Sequence, residues 1–166
     1  MATTFSGLLS GSLIGSYDKT SDLTTRKETI AHTFSSSYSN GTSSNQANAF
    51  YSDTRTLAAT SESFDLNAAS TVDGFGDGLV FTKVKYLYVK NKSTTAGQNL
   101  VLSGDWLGAT TGPVSASGTV TIGPGGIFIL DNPIDGYTVG SAATQDVLTV
   151  TNTATFDYDI LIVGTI

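Results

Sequence analysis

Cysteine is absent from the 166-residue chain, which excludes disulfides, thiolate metal centres, iron–sulfur clusters and cysteine nucleophiles. Stability must therefore come from packing and assembly. Histidine occurs once, at His32, so no histidine pair exists for a metal or a proton relay. Charged residues make up only 13% of the chain, and no basic residue follows Lys92. Residues 1–60 carry as many cationic side chains as carboxylates, which leaves the entire net charge of −6 to residues 61–166. A nucleic-acid binder needs a cationic face to displace counterions from phosphates, so genome contact by the C-terminal part is not expected. Long apolar runs are missing too. The first residues contain the pairs Leu8-Leu9 and Leu13-Ile14, broken by Gly and Ser and preceded by no cation, so they make a poor signal peptide and are too short to span a membrane.

What is abundant points one way. The chain holds 46 Ser and Thr and 18 Gly, with an apolar set rich in Val, Ile, Tyr and Phe, a composition that favours strands and turns over helices. Residues 1–28 lack a sustained period of either kind and read as an extended N-terminal arm. Such a Ser/Gly-rich arm cannot offset its own ordering entropy, so its order would come from a surface it lies on. Phe5, Leu8, Leu9, Leu13 and Ile14 are its candidate contact residues.

From residue 29 onward the pattern predicts a β-sandwich domain over 29–166. Ile30, His32 and Phe34 alternate with Thr29, Ala31 and Thr33 up to the turn signal Asn40-Gly41. Phe50, Leu57, Phe64 and Leu66 mark one or two short strands before the loop Asp73–Gly78. Leu79–Asn91 is apolar on both parities and reads as a central strand. Gln98–Ser103, Thr119–Ile122 and Gly126–Leu130 follow, the last two separated by Gly123-Pro124-Gly125. Val147–Asn152 and the alternation Phe156, Tyr158, Ile160, Ile162 close the chain. Eight or so strands with turn residues between them and no helical window predict an all-β fold, a β-sandwich of jelly-roll type.

Chemical motifs are few. His32 in a Ser/Thr strand reads as a packed or solvated side chain, and no Gly-x-Ser-x-Gly elbow surrounds any serine. The Asp73-Gly-Phe-Gly-Asp-Gly run fails the calcium-loop spacing at Phe75 and Val84. Gly123–Gly126 lacks the lysine of a phosphate loop. Glu62, Asp65, Asp105, Asp157 and Asp159 could in principle supply the two carboxylates of a glycosidase, although carboxylates alternating with apolar residues usually line the wet face of a strand. Asn40 and Asn91 head glycosylation triplets. Trp106 is either a core plug or an interface anchor. No catalytic residue, metal or cofactor is expected.

Several longer runs carry a resemblance. Asn40-Gly-Thr-Ser-Ser-Asn-Gln-Ala-Asn, Asp53-Thr-Arg-Thr-Leu-Ala-Ala, Phe64-Asp-Leu and Phe75-Gly-Asp-Gly-Leu-Val-Phe-Thr-Lys-Val-Lys-Tyr-Leu-Tyr-Val-Lys-Asn resemble small structural proteins of tailed-bacteriophage virions. Ile122-Gly-Pro-Gly-Gly-Ile-Phe-Ile-Leu, Gly136-Tyr-Thr-Val, Asp146-Val-Leu-Thr-Val-Thr-Asn and Tyr158-Asp-Ile-Leu-Ile-Val-Gly-Thr are similar to the same family. The resemblance implies a capsid decoration (cement) protein on the outer surface of the head, assembled in the host cytoplasm. Its implied partners are the major capsid protein and further copies of itself, a homotrimer favoured and a dimer possible, with no nucleic acid and no membrane. Related β-sandwiches in head fibres, tail knobs and receptor-binding adhesins leave an alternative station that contacts host-surface glycan.

Overall fold

The computed structural model describes residues 4–58, 60–109, 112–114, 117–141 and 144–166. Among the described residues the chain forms twelve strands and no helix. β1 (Gly7–Ser21) and β2 (Thr24–Asn40) form a long antiparallel hairpin, and β3 (Gln46–Ala47) pairs in parallel with the end of β2. The remaining strands are β4 (Ala49–Ala58), β5 (Ser61–Asp65), β6 (Lys83–Asn91), β7 (Leu100–Ser103), β8 (Val120–Ile122), β9 (Ile127–Asp131), β10 (Tyr137–Thr138), β11 (Val147–Asn152) and β12 (Thr155–Thr165). They make two antiparallel sheets. One runs β10-β6-β12-β4, with β9 sharing the free edge of β6, and the other runs β5-β11-β7-β8.

The two sheets pack face to face as a β-sandwich, and the alternation of each strand decides which side chains lie between them. Phe156, Tyr158, Ile160 and Ile162 of β12 and Leu87 and Val89 of β6 meet Leu148 and Val150 of β11 and Leu100 and Leu102 of β7 in one core. Each such side chain, fully buried, contributes about 1.5–3 kcal/mol against leaving it in water. Trp106 sits in this core with no exposed surface, so it is a core plug. Its candidacy as a partner contact is thereby corrected: an indole closed in by its own chain has no face to offer a partner.

β6 is central, as its two-sided apolar pattern predicts. Its strict alternation breaks near its start, where the register with β12 shifts between Val163 and Gly164. Val84 thereby joins the core although Tyr86 and Tyr88 face outward. Gly164 is glycine for a reason of space: a Cβ there would run into the carbonyl of Lys83. Beside the shift, Lys85 is 1% exposed, and its Nζ donates to the carbonyls of Ser43 at 2.5 Å and Pro133 at 3.3 Å. Burial first, and Lys83 second, pull its ammonium pKa below the usual lysine range.

The N-terminal segment differs from the expected arm. Over Gly7–Ser21 it is one strand of a hairpin in register with β2 from Gly7↔Tyr38 to Ser21↔Thr24, and the expected boundary after residue 28 falls inside β2. The physical reason is that glycines and serines dilute the alternation of β1, whose partner strand, more regular, supplies the pairing. The two-residue loop Asp22-Leu23 that joins them carries no Gly or Asn, and so gave no turn signal.

Candidate functional site

Cross-strand partners in an antiparallel pair point to the same side, so the register separates the hairpin into two faces. One face carries Leu8, Ser10, Ser12, Ile14, Ser16 and Asp18 opposite Ser37, Ser35, Thr33, Ala31, Thr29 and Lys27. It is mostly hydroxyl. The other face pairs one small or polar residue with one large residue on successive rungs: Gly7 with Tyr38, Leu9 with Ser36, Gly11 with Phe34, Leu13 with His32, Gly15 with Ile30, and Tyr17 with Glu28. The Phe34 ring lies over Gly11, where a Cβ would collide with it. Nearer the tip the same face ends in Lys19 directly opposite Arg26.

Only the root of this apolar face is covered. Tyr38, Ala47, Tyr86 and Val163 are buried together there, with Phe5, Leu9, Tyr88 and Leu161 packed around them. The Phe5 and Phe50 rings lie 6.1 Å apart and tilted. The Tyr38 hydroxyl and the Ser36 hydroxyl both donate to the carboxylate of Asp131 at the end of β9. Burial, then the bond to Asp131, push the Tyr38 phenol far above its ordinary range. The root thus hangs the hairpin on the outer face of the sheet, beside a shallow apolar groove of about 200 Å³ between Leu9, Phe50, Tyr86 and Leu161.

Beyond the root the face is open. Leu13 is 65% exposed, Tyr17 66%, Phe34 50% and Ile30 37%. The outer face of the sheet continues the same surface: Ile129, Tyr88, Leu161 and Ser52 form one row across β9, β6, β12 and β4, and Ile127, Lys90, Asp159 and Thr54 the next. Ile127 and Ile129 are also exposed. An apolar surface that is uncovered along a hairpin and continues onto a sheet is a candidate interaction surface.

The expected contact residues divide accordingly. Phe5 and Leu9 belong to the covered root, Leu13 to the open apolar face, and Leu8 and Ile14, both exposed, to the hydroxyl face. The exposed Phe34, Ile30, Tyr17, Ile127 and Ile129 were not among the expected contact residues. The alternation Ile30-His32-Phe34 was the visible signal for two of them.

The carboxylates are engaged structurally. Asp105 accepts from the backbone N–H groups of Gln145, Asp146 and Val147, closing the loop before β11. Asp65 accepts from the Asn67 N–H, and Asp157 and Asp159 lie on the outer sheet face, each accepting from a threonine hydroxyl of β4 at 2.6 Å. Asp73 accepts from the N–H groups of Phe75 and Asp77, so its loop is an ordinary side-chain-capped turn. Among the described residues no cluster of three potential metal ligands forms. Asn91 is fully buried, donating to the carbonyls of Gln98 and Ile122, which places it out of reach of glycosylation.

One polar cleft, of about 430 Å³, opens between β4 and β5. Arg55 lies in it, paired with Glu62 and at 3.1 Å with Asp53, while the Tyr158 hydroxyl donates to Glu62 at 2.8 Å. A guanidinium shared by two carboxylates ties two strand edges together. No protein-family model, curated protein or solved structure matches the chain.

Proposed function

We propose that this protein is a structural component of a bacteriophage particle, a decoration protein that binds the outer surface of the assembled head and reinforces it against internal pressure. The observation that carries the reading is the open apolar face of the β1–β2 hairpin, continuous with the outer face of the sheet. A chain that holds such a surface on a rigid sandwich is built to be covered by neighbours. The strand order supports it: β9/β10-β6-β12-β4 over β5-β11-β7-β8 fits a jelly roll, an architecture used in viral capsid domains. The sequence resemblance points the same way. A protein that binds the assembled lattice and not free subunits stabilises it by mass action at every site.

The test is co-sedimentation of the purified protein with decoration-free heads, with copy number measured by quantitative mass spectrometry. Saturable binding at hundreds of copies, with added resistance to heat or osmotic shock, is the expected result. Binding confined to a vertex or tail replaces it with a fibre or adhesin role, and absence of binding removes it. A variant with residues 11–34 replaced by Asn-Gly joins the paired Ser10 and Ser35 through a two-residue turn. It is expected to keep the sandwich and lose the heads.

A further inference from the structure

The hairpin reaches the sandwich where two short connections touch. One is the loop of residues 41–45 between β2 and β3, and the other is the turn of residues 132–136 between β9 and β10. The Asn45 N–H donates to the Pro133 carbonyl at 2.8 Å, which links the two directly. The Ser39 N–H donates to the Asn45 carbonyl at 3.0 Å, so the loop and the end of β2 form one piece. On β6, Tyr86 pairs with Asp131 and Val84 with Tyr137, so the turn spans the edge of β6 at Lys85. The Asn132 N–H fixes it there by donating to the Lys85 carbonyl at 2.8 Å.

The Lys85 side chain lies under this junction. It is 1% exposed, a Cβ on Gly136 would stand 3.0 Å from its Cγ, and its Nζ donates to one carbonyl of each connection, Ser43 and Pro133. Among the described residues no carboxylate forms an ion pair with it. Burial and then Lys83 disfavour the ammonium, and Asp135 favours it less strongly.

An ammonium covered in this way costs free energy that neutral carbonyls do not fully return, and a methionine of similar length would fill the space without that cost. Neither carbonyl depends on it: Ser43 also accepts from the Gln46 N–H at 3.1 Å, and Pro133 from Asn45. What the ammonium adds is direction. Apolar contacts, such as Phe5 on Phe50, are satisfied over a range of angles, whereas one nitrogen bonded to two carbonyls is satisfied over a narrow one. The Asp131 carboxylate, which takes the Ser36 and Tyr38 hydroxyls, is one point of attachment, about which a stiff hairpin can turn. The Ser43 carbonyl, beyond the end of β2, is the second point that fixes the angle.

We infer that Lys85 is a positioning residue: its buried ammonium sets the angle at which the β1–β2 hairpin leaves the sandwich, without adding to the stability of the fold. A partner that meets the hairpin face and the outer sheet face together meets them at that angle. The inference does not rest on the capsid reading, since it concerns the free chain.

The experiment uses the full chain without heads. Because the chain has no cysteine, Ser12→Cys on β1 and Thr121→Cys on β8, both exposed, take two nitroxide labels without background. Double electron–electron resonance then reads the distance between them, with labelled chain diluted into unlabelled chain so that distances within one chain dominate. The chain with Lys85 is expected to give one narrow distribution. Lys85→Met is expected to widen it to at least about twice that width, with the midpoint of urea unfolding unchanged or raised. Lys83→Met, which removes a neighbouring charge and no bond to either connection, is expected to leave the width unchanged. A narrow distribution in Lys85→Met overturns the inference, as does a wide one in the chain with Lys85. Equal widening by Lys83→Met overturns it in favour of local charge. A lowered urea midpoint in Lys85→Met overturns it too, since the lysine would then hold the fold and not the angle.

Discussion

The hairpin and the sandwich are made of the same antiparallel ladder, yet they are held by different forces. In the sandwich every strand turns one face onto the opposing sheet, so backbone pairing is backed by a core that includes Trp106, Tyr158 and Leu148. In the hairpin, beyond Gly11, pairing is all there is; its apolar face, with Leu13, Tyr17, Ile30 and Phe34, is exposed. A lone two-stranded ladder is marginal in water. Strand pairing thus sets the shape of both regions, while burial decides which of them is finished within one chain.

The largest test of this contrast is a pair of truncations. Trp106→Ala is expected to destabilise the sandwich by about 3–5 kcal/mol in urea unfolding, because the indole leaves a cavity the two sheets cannot close. Leu13→Ala, removing an apolar side chain from the open face, is expected to shift the same transition by less than about 0.5 kcal/mol. Comparable losses at both positions would mean that the hairpin is already packed on something within its own chain.

A second, intermediate effect is expected at the join. Asp131→Ala leaves the Tyr38 hydroxyl without its carboxylate partner next to a buried root, at a cost of about 1–3 kcal/mol. The loss should be local. Hydrogen exchange is expected to quicken from Leu9 to Phe34 with the amides of β11 and β12 unchanged, the pattern of a unit that opens by itself. Uniform quickening in both regions would make hairpin and sandwich one cooperative unit and erase the distinction.

Sequence made the sandwich far more legible than the hairpin, and the contrast has the same cause. Strands β6, β11 and β12 bury a face, so their apolar residues alternate or run continuously and are visible as a pattern. β1 buries almost nothing, and glycines on it face large residues of β2: Gly11 under Phe34, Gly15 opposite Ile30. Read alone, that spacing looks irregular; only the register with β2 shows that Leu9, Leu13 and Tyr17 share a side. Of the expected contact residues, Leu13 therefore lies on the open apolar face and Leu8 and Ile14 on the other. Trp106 was undecidable because a Gly-rich loop gives no periodicity from which to infer a side.

Alkaline titration sharpens the comparison with the smallest effect. Tyr158 in the core and Tyr38 at the root both have phenol pKa values raised far above 10, first by burial and next by bonds to Glu62 and Asp131. The folded state therefore keeps these protons after the unfolded chain has begun to lose them at about pH 10. Stability is then full below that pH and falls as pH rises above it, because the folded state binds more protons than the unfolded one. Each such tyrosine adds a slope approaching about 1.4 kcal/mol per pH unit once its unfolded phenol is ionised. Tyr158→Phe is expected to lower stability at neutral pH through the lost bond to Glu62, yet to flatten the decline of the sandwich between pH 10 and 11. Tyr38→Phe, by contrast, should flatten only the decline seen by hydrogen exchange in the hairpin root. If either substitution flattened both regions equally, the root would unfold together with the core, and the open face would be held out by the full stability of the sandwich.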